Sequence, residues 1–307
     1  MAIPAVCRIA SAVMALSGEQ FTIRAGEHVA TVVSIGAGLR EYQVGDREVV
    51  PRYGDGLPPK CSGASLLPWP NRIRDGRYSF EGVEQQLALT EPKLSNASHG
   101  LARYEEWAVA ELGEQLVSLE LRIPPQNGWT YELTTRVTYE LDEQSGLTVR
   151  ASATNHGTTR APFGAGFHPY LAIGAARLAD VALQIPAATR LTTDERLIPI
   201  GTEAVERTDY DFRAPRPIGT TRLDDAYGDL TGREATVRLP DGHGATLWFD
   251  GSFGYLQVFT PEVLVDGRAA VAIEPMTCPA NAFNSGEGLL VLEPGEGWAG
   301  TWGIAPF

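Results

Sequence analysis

The stretch YELTTRVTYELDEQSGLTVRASAT, residues 131–154, keeps a two-residue period on both sides of a turn. Tyr131, Leu133, Thr135, Val137, Tyr139 and Leu141 alternate with Glu132, Thr134, Arg136, Thr138 and Glu140, as in a strand with one buried and one wet face. Leu147, Val149, Ala151 and Ala153 repeat the pattern against Thr148, Arg150, Ser152 and Thr154. Between the two runs, Asp142-Glu143-Gln144-Ser145-Gly146 supplies turn residues, so the strands are expected to be antiparallel neighbours. Further out, Val117, Leu119, Leu121 and Ile123 alternate in the same way, and Asp-Gly steps at 241–242, 250–251 and 266–267 punctuate other short apolar runs. No window longer than about ten residues keeps a helical face. Prolines 58, 59, 68 and 70 argue against a helix in the early middle. The sequence predicts an all-β chain, a sandwich or barrel, with helices only as short connectors.

At 307 residues the chain is long enough for one large or two ordinary domains. Its composition, 43% hydrophobic and 21% charged, is that of a globular protein rather than a disordered one. A formal charge of -13 repels phosphate backbones and anionic headgroups, which argues against nucleic acid or a membrane surface as partner. Cys7, Cys61 and Cys278 are too few and too scattered for a disulfide framework or a zinc site, and fit a reducing, cytoplasmic setting. Residues 1–18 are mildly apolar but have no basic start, and Arg8 interrupts them; they read as a flexible extension rather than a signal peptide. The Pro/Gly-rich segment Tyr53 to Asn71 reads as a long loop over a binding face.

Few residues are placed for chemistry. Of five histidines, His28 and His243 have ordinary surroundings, and His156 in TNHGTT reads as a turn residue. His99 closes the polar loop sequence SNASHG, and His168 lies in GAGFHPYL, where glycines allow close backbone approach. A metal site of His99, His156 and His168 lacks the short ligand spacing of zinc sites, so no metal is expected. Glu274 ends the apolar run Ala270 to Ile273, where it is either a sheet-edge partner of an arginine or a buried carboxyl with a raised pKa, suited to a general base. Asp224 and Asp225 form an acidic pair beside an aromatic, for which a turn is the plain reading. Asn71 and Arg72 follow Trp69 and precede Tyr78 and Phe80, a mixture of hydrogen-bonding groups and aromatic faces that suits sugars.

Taken in order, PWPNRI at 68–73, NASHG at 96–100, GFHPYL at 166–171, LDDAY at 223–227 and AIEPMTCPANAFN at 272–284 resemble the aldose 1-epimerase (galactose mutarotase) family. With the early strands and the closing LEPGEGWAGTWGI, the resemblance covers nearly the whole chain. It implies one domain over residues 1–307, a large antiparallel β-sandwich with a sugar cleft across one sheet. It also implies His168 as general acid, Glu274 as general base, His99 as a second histidine near the ring oxygen, and Asn71, Arg72 and Asp224 as sugar-binding residues. Asp225 is the fallback for Asp224. The partner so implied is a small aldose, with no cofactor, and the chain acts as a monomer or weak homodimer. The chain departs from the family in carrying one histidine, His99, in the first motif and Phe-His-Pro-Tyr in the second, which leaves the sugar open. A hexose-6-phosphate 1-epimerase would want arginines at the cleft mouth, for which Arg72, Arg74 and Arg77 are candidates. A non-catalytic sugar-binding protein on the same fold, and a glycoside hydrolase using Glu274 with Asp224, are the other readings.

Overall fold

A computed structural model describes residues 15–265 and 267–307. Residues 1–14 of the expected extension, Cys7 among them, lie outside the described residues, as does Asp266 of the last Asp-Gly step. The hairpin forms where the alternation places it. Leu133–Asp142 pairs antiparallel with Gly146–Asn155, in register from Leu133 opposite Asn155 to Asp142 opposite Gly146. Oδ1 of Asp142 accepts the backbone N–H groups of Gln144 and Ser145 and so closes the turn. Tyr131 and Glu132 precede the strand rather than open it, because Tyr131 is buried edge-on against Trp129, ring centroids 4.9 Å apart, and not by pairing.

This hairpin is the middle of a nine-stranded sheet. Leu116–Ile123 and Ala108–Leu112 extend it on one side; Gly297–Pro306, Gly244–Phe249, Glu234–Arg238, Ala182–Gln184 and Arg216–Pro217 extend it on the other. A second, eight-stranded sheet is centred on Ala270–Met276. One flank of that strand carries Tyr255–Phe259, Asp224–Leu230, Ala187–Thr193 and Pro199–Ala204; the other carries Gly166–Phe167, Tyr170–Ala172 and Ser65–Leu66. Val137, Tyr139 and Val149 of the first sheet share one buried cluster with Leu256, Val258, Val271 and Ile273 of the second, so the two sheets form a β-sandwich. Gln20–Ala25, His28–Val33, Gly38–Val44 and Arg47–Val50 form a separate four-stranded meander, tied to the first sheet where the Tyr139 hydroxyl donates to the carbonyl of Ala37 at 2.7 Å. The α-helix among the described residues is the single turn Ala282–Ser285, none of them long and apolar enough to cross a membrane.

Strand alternation then decides which residues leave the core. In Ala270–Met276, Val271 and Ile273 face inward, while Ala270, Ala272 and Glu274 face the outer side of the sheet. Leu256 and Val258 point inward, so Gln257 and Phe259 share the outer face with Glu274, Gln257 directly opposite it in register. Asp224 lies opposite Phe259 and joins them, whereas Asp225 follows Tyr227 to the other face. Three separate strands thus deliver polar side chains to one outer patch.

Candidate active site

That patch is the floor of a cleft of about 360 Å³, within the usual range of ligand pockets. His168, His99, Glu274, Asp224, Asn71 and Arg72 all line it. His168 follows Gly166–Phe167, and the glycines before it are needed: a Cβ on Gly166 would lie 2.7 Å from Pro70, and one on Gly164 2.6 Å from Cys278. His99 and Asn71 come from the ends of a short ladder in which Arg72–Arg74 pairs with Asn96–Ser98. The segment SNASHG is therefore a buried strand end rather than the loop its polarity suggests, because its amides are taken up by this pairing.

His168 Nε2 and Glu274 Oε1 are 3.3 Å apart, with the two residues 5% and 2% exposed. Burial pushes the Glu274 carboxyl well above its ordinary range, reinforced by the charge of Asp224 and opposed by Arg72. Burial likewise pulls the His168 imidazole down to about 3, with Arg103 and Arg72 adding to the effect. Both shifts favour the uncharged pair, carboxylic acid beside neutral imidazole. Glu274 is thus the buried carboxyl of the two readings, on the central strand of its sheet with a histidine as partner. Glu274 Oε2 and His168 Nδ1 are buried without any hydrogen-bond partner. Orphaned polar atoms of this kind cost roughly 1–3 kcal/mol each, and concentrate where a ligand completes them.

His99 stands edge-on to His168, ring centroids 5.8 Å apart. The Asn71 backbone N–H donates to its Nδ1 at 3.2 Å, so the neutral ring carries its proton on Nε2. Burial, and then the charges of His168, Arg103 and Arg72, hold it well below the usual histidine range. Both His99 and Asn71 adopt left-handed backbone, φ 62° and 55°, a strained conformation held by the reciprocal bond from His99 N–H to the Asn71 carbonyl at 2.7 Å.

Gln257 has no counterpart among the residues singled out from sequence, and it links the others. Asn71 Nδ2 donates to its Oε1 at 3.2 Å, and its own Nε2 donates to Asp224 Oδ1 at 2.7 Å. Arg72 in turn donates to Asn71 Oδ1, so Arg72, Asn71, Gln257 and Asp224 form one hydrogen-bonded chain. The signal for Gln257 was a polar residue inside the otherwise apolar strand YLQVF.

Several expectations fail here for physical reasons, while His28 and His243 keep the ordinary surroundings expected of them. Trp69, Tyr78 and Phe80 do not present faces to the cleft: Trp69 and Tyr78 pack edge-on against Phe283, and Phe80 against Tyr131. The cleft aromatics are Tyr104 and Phe259. Arg72, Arg74 and Arg77 do not form a cluster at the mouth, since Glu91 holds Arg72 by two hydrogen bonds, Asp194 holds Arg74, and Arg77 lies on the next hairpin against Gln86. Asp224-Asp225 is not a turn but the start of a strand. Asp225 is paired with Arg190 away from the cleft. His156 is exposed after Gly146–Asn155, so the three histidines weighed as a metal set are not brought together. His28 is a satisfied core histidine, 2.6 Å from the Tyr42 hydroxyl, and His243 is exposed beside Asp241. The segment from Tyr53 to Asn71 is only half a loop: Lys60 and Cys61 reach the cleft from it, but residues 62–71 are buried and include the strand Ser65–Leu66.

Residues 19–304 match the family model described as aldose 1-epimerase. The chain belongs to the aldose 1-epimerase family. It is 35% identical over 287 residues to the uncharacterized protein YihR of Escherichia coli K12, covering 92% of each chain. Among solved structures, this aldose 1-epimerase family member is similar in fold to a GalM/aldose epimerase homologue from C. elegans, with TM-score 0.84, 18% identity, and 94% and 98% of the two chains covered. A galactose 1-epimerase from Lactobacillus acidophilus NCFM superposes with TM-score 0.77 at 19% identity, covering 93% of each.

Proposed function

We propose that the protein interconverts the α and β anomers of a free aldose, with His168 and Glu274 as the acid–base pair. The observation that carries this reading is the buried contact of His168 Nε2 and Glu274 Oε1 at 3.3 Å on the floor of a polar cleft, each side chain keeping one unsatisfied polar atom. A sugar hydroxyl can both donate and accept, so it suits these two atoms better than an apolar ligand.

The step balances with these two groups alone. Glu274 takes the proton of the C1 hydroxyl as the C1–O5 bond breaks and the aldehyde forms, while His168 gives its proton to the ring oxygen. Rotation about C1–C2 presents the other face, and reclosure returns both protons. The resting uncharged pair reaches the form that opens the ring by passing the Glu274 proton to His168 Nε2 across their 3.3 Å contact, and opening returns it to imidazole and carboxylic acid, the uncharged form that burial favours. His99, with Nε2–H toward the cleft, steadies the ring oxygen, and the chain of Arg72, Asn71, Gln257 and Asp224 orients the ring hydroxyls.

Polarimetry on freshly dissolved α-glucose, α-galactose and other aldoses tests the activity. Acceleration of at least one, lost in His168→Ala, is the expected result; no acceleration of any aldose would contradict the reading.

A further inference from the structure

The motif GFHPYL carries an aromatic, Tyr170, that the acid–base chemistry leaves unused. Pro169 disfavours a helical turn at His168, and in extended chain residues two apart fall on one side. His168 and Tyr170 accordingly stack, ring centroids 5.0 Å apart and ring planes inclined by 20°. Backbone bonds hold both ends of this short span. His168 donates its N–H to the Ala64 carbonyl at 3.1 Å and accepts at its own carbonyl from Gly63 at 2.8 Å. Tyr170 opens the strand Tyr170–Ala172, which pairs with Ala270–Met276 so that Tyr170 lies opposite Ala272, two positions before Glu274 on the same face. The central strand of the sheet therefore places both the carboxyl and the ring on which the imidazole rests.

The Tyr170 side chain is completely buried. It belongs to a small outer cluster with Leu264, Ala270 and Ala272, against which Phe259 of the cleft wall packs. Its hydroxyl donates to the Lys60 carbonyl at 3.3 Å. Burial, reinforced by the charge of Glu274, raises the phenol above its ordinary range, so it stays a neutral donor.

The imidazole depends on this support. Its Nδ1 is buried without a hydrogen-bond partner, whereas a proton-shuttling histidine is ordinarily oriented by a bond at the nitrogen opposite the reacting one. Nε2 meets Glu274, and His99 meets the ring edge-on at 5.8 Å. The Tyr170 face is what lies along the plane of the ring. An aromatic face is the negative side of its quadrupole, and it attracts a cation within about 6 Å of the centroid, most strongly where both are out of water. The imidazolium formed when Glu274 passes its proton to Nε2 stands inside that distance, and neutral imidazole gains far less from the same contact.

We infer that Tyr170 is a positioning residue for anomer exchange: its ring holds the plane of His168 with Nε2 toward Glu274 and stabilises the imidazolium that opens the sugar ring. The inference rests on the acid–base reading above. Tyr170 is not among the residues that line the cleft, so it acts through the histidine, on kcat rather than on KM.

Phenylalanines of stepwise increasing ring fluorination, placed at position 170, keep the shape of the ring while draining its negative face. Anomer exchange followed by NMR is expected to show Tyr170→Phe close to the parent, then a kcat that falls with each step, by about tenfold to thirtyfold over the series. KM and the urea midpoint are expected to stay nearly constant. Tyr170→Leu, which has no aromatic face, is expected to fall at least as far in kcat. A single kcat for the whole series, or a loss that follows the urea midpoint, would overturn the inference and leave the mutarotase reading standing. The nitrogen NMR shift of His168 Nε2, read at one pH in the sugar-free protein, supplies a measurement independent of turnover. It is expected to move step by step toward that of an unprotonated imidazole nitrogen as fluorination rises. That drift in a protein that exchanges no sugar would contradict the acid–base reading alone; an unchanged shift would contradict the role of Tyr170.

Discussion

Adjacent carboxylates with opposite fates show how the backbone assigns chemistry residue by residue. Asp224 faces the cleft and accepts from Gln257, while Asp225, one position on, is turned by the pleat to the inner side and paired with Arg190. Their substitutions should therefore separate. Asp224→Ala is expected to reduce kcat/KM by about tenfold or more, the worth of a charged hydrogen bond to a sugar hydroxyl, with little change in denaturation midpoint. Asp225→Ala is expected to cost about 1 kcal/mol of stability, since it removes one of the two carboxylates, Asp225 and Glu203, that pair with the Arg190 guanidinium, and to leave KM close to that of the parent. Urea titration and steady-state kinetics on both variants distinguish these outcomes. The notion that either aspartate serves the sugar was legible from the motif LDDAY, but the choice between them needed the register of Asp224–Leu230 against Tyr255–Phe259.

The elements that bring the histidines to the cleft are short, and their geometry depends on close backbone approach. Gly63 has φ 71°; its N–H donates to the His168 carbonyl at 2.8 Å, and its own carbonyl accepts from Leu39, 3.0 Å away. A Cβ there would sit 2.0 Å from the Leu39 carbonyl oxygen. Gly63→Ala is expected to cost about 3 kcal/mol through the left-handed backbone and the clash together, and to lower kcat more than KM by displacing His168. A thermal melt with kinetics on the folded fraction checks both. The difference in length between elements also explains what sequence could show. Leu133–Asp142 and Gly146–Asn155 each run ten residues, long enough for alternation to announce them. Asn96–Ser98 and Gly166–Phe167 are three and two residues long, too short for any period, so SNASHG read as a polar loop and no strand was legible before His168. Gln257 carried little signal because its role arises from partners 33 and 186 residues away in the chain.

For the whole molecule, one buried cluster runs from Phe21 to Ile304 and takes in both sheets. We propose that the chain unfolds as one cooperative unit, so that tryptophan fluorescence and far-ultraviolet circular dichroism give coincident urea transitions; separated midpoints would indicate two domains. Burying the acid–base pair also makes stability depend on pH. The His168 imidazole is held at about 3 against an ordinary 6.5, so the unfolded chain binds its proton first as pH falls, and stability is lost between those values. The Glu274 carboxyl is shifted upward from 4.5, so its contribution is full below that value and is lost as pH rises through the raised one. Glu274→Gln removes the alkaline loss: its stability relative to the parent is expected to grow between pH 5 and 8, at up to about 1.4 kcal/mol per unit. An unchanged difference at the two pH values would contradict a buried neutral carboxyl. The claim on which the functional reading turns is that this same pair carries the proton transfers of anomer exchange. Exchange spectroscopy of the anomeric protons, recorded with parent protein and with Glu274→Gln at equal folded concentration, tests it most directly. The expected result is exchange with the parent on at least one aldose, and a rate at least about a hundredfold lower with the variant; a variant that exchanges anomers at the parent's rate would contradict it.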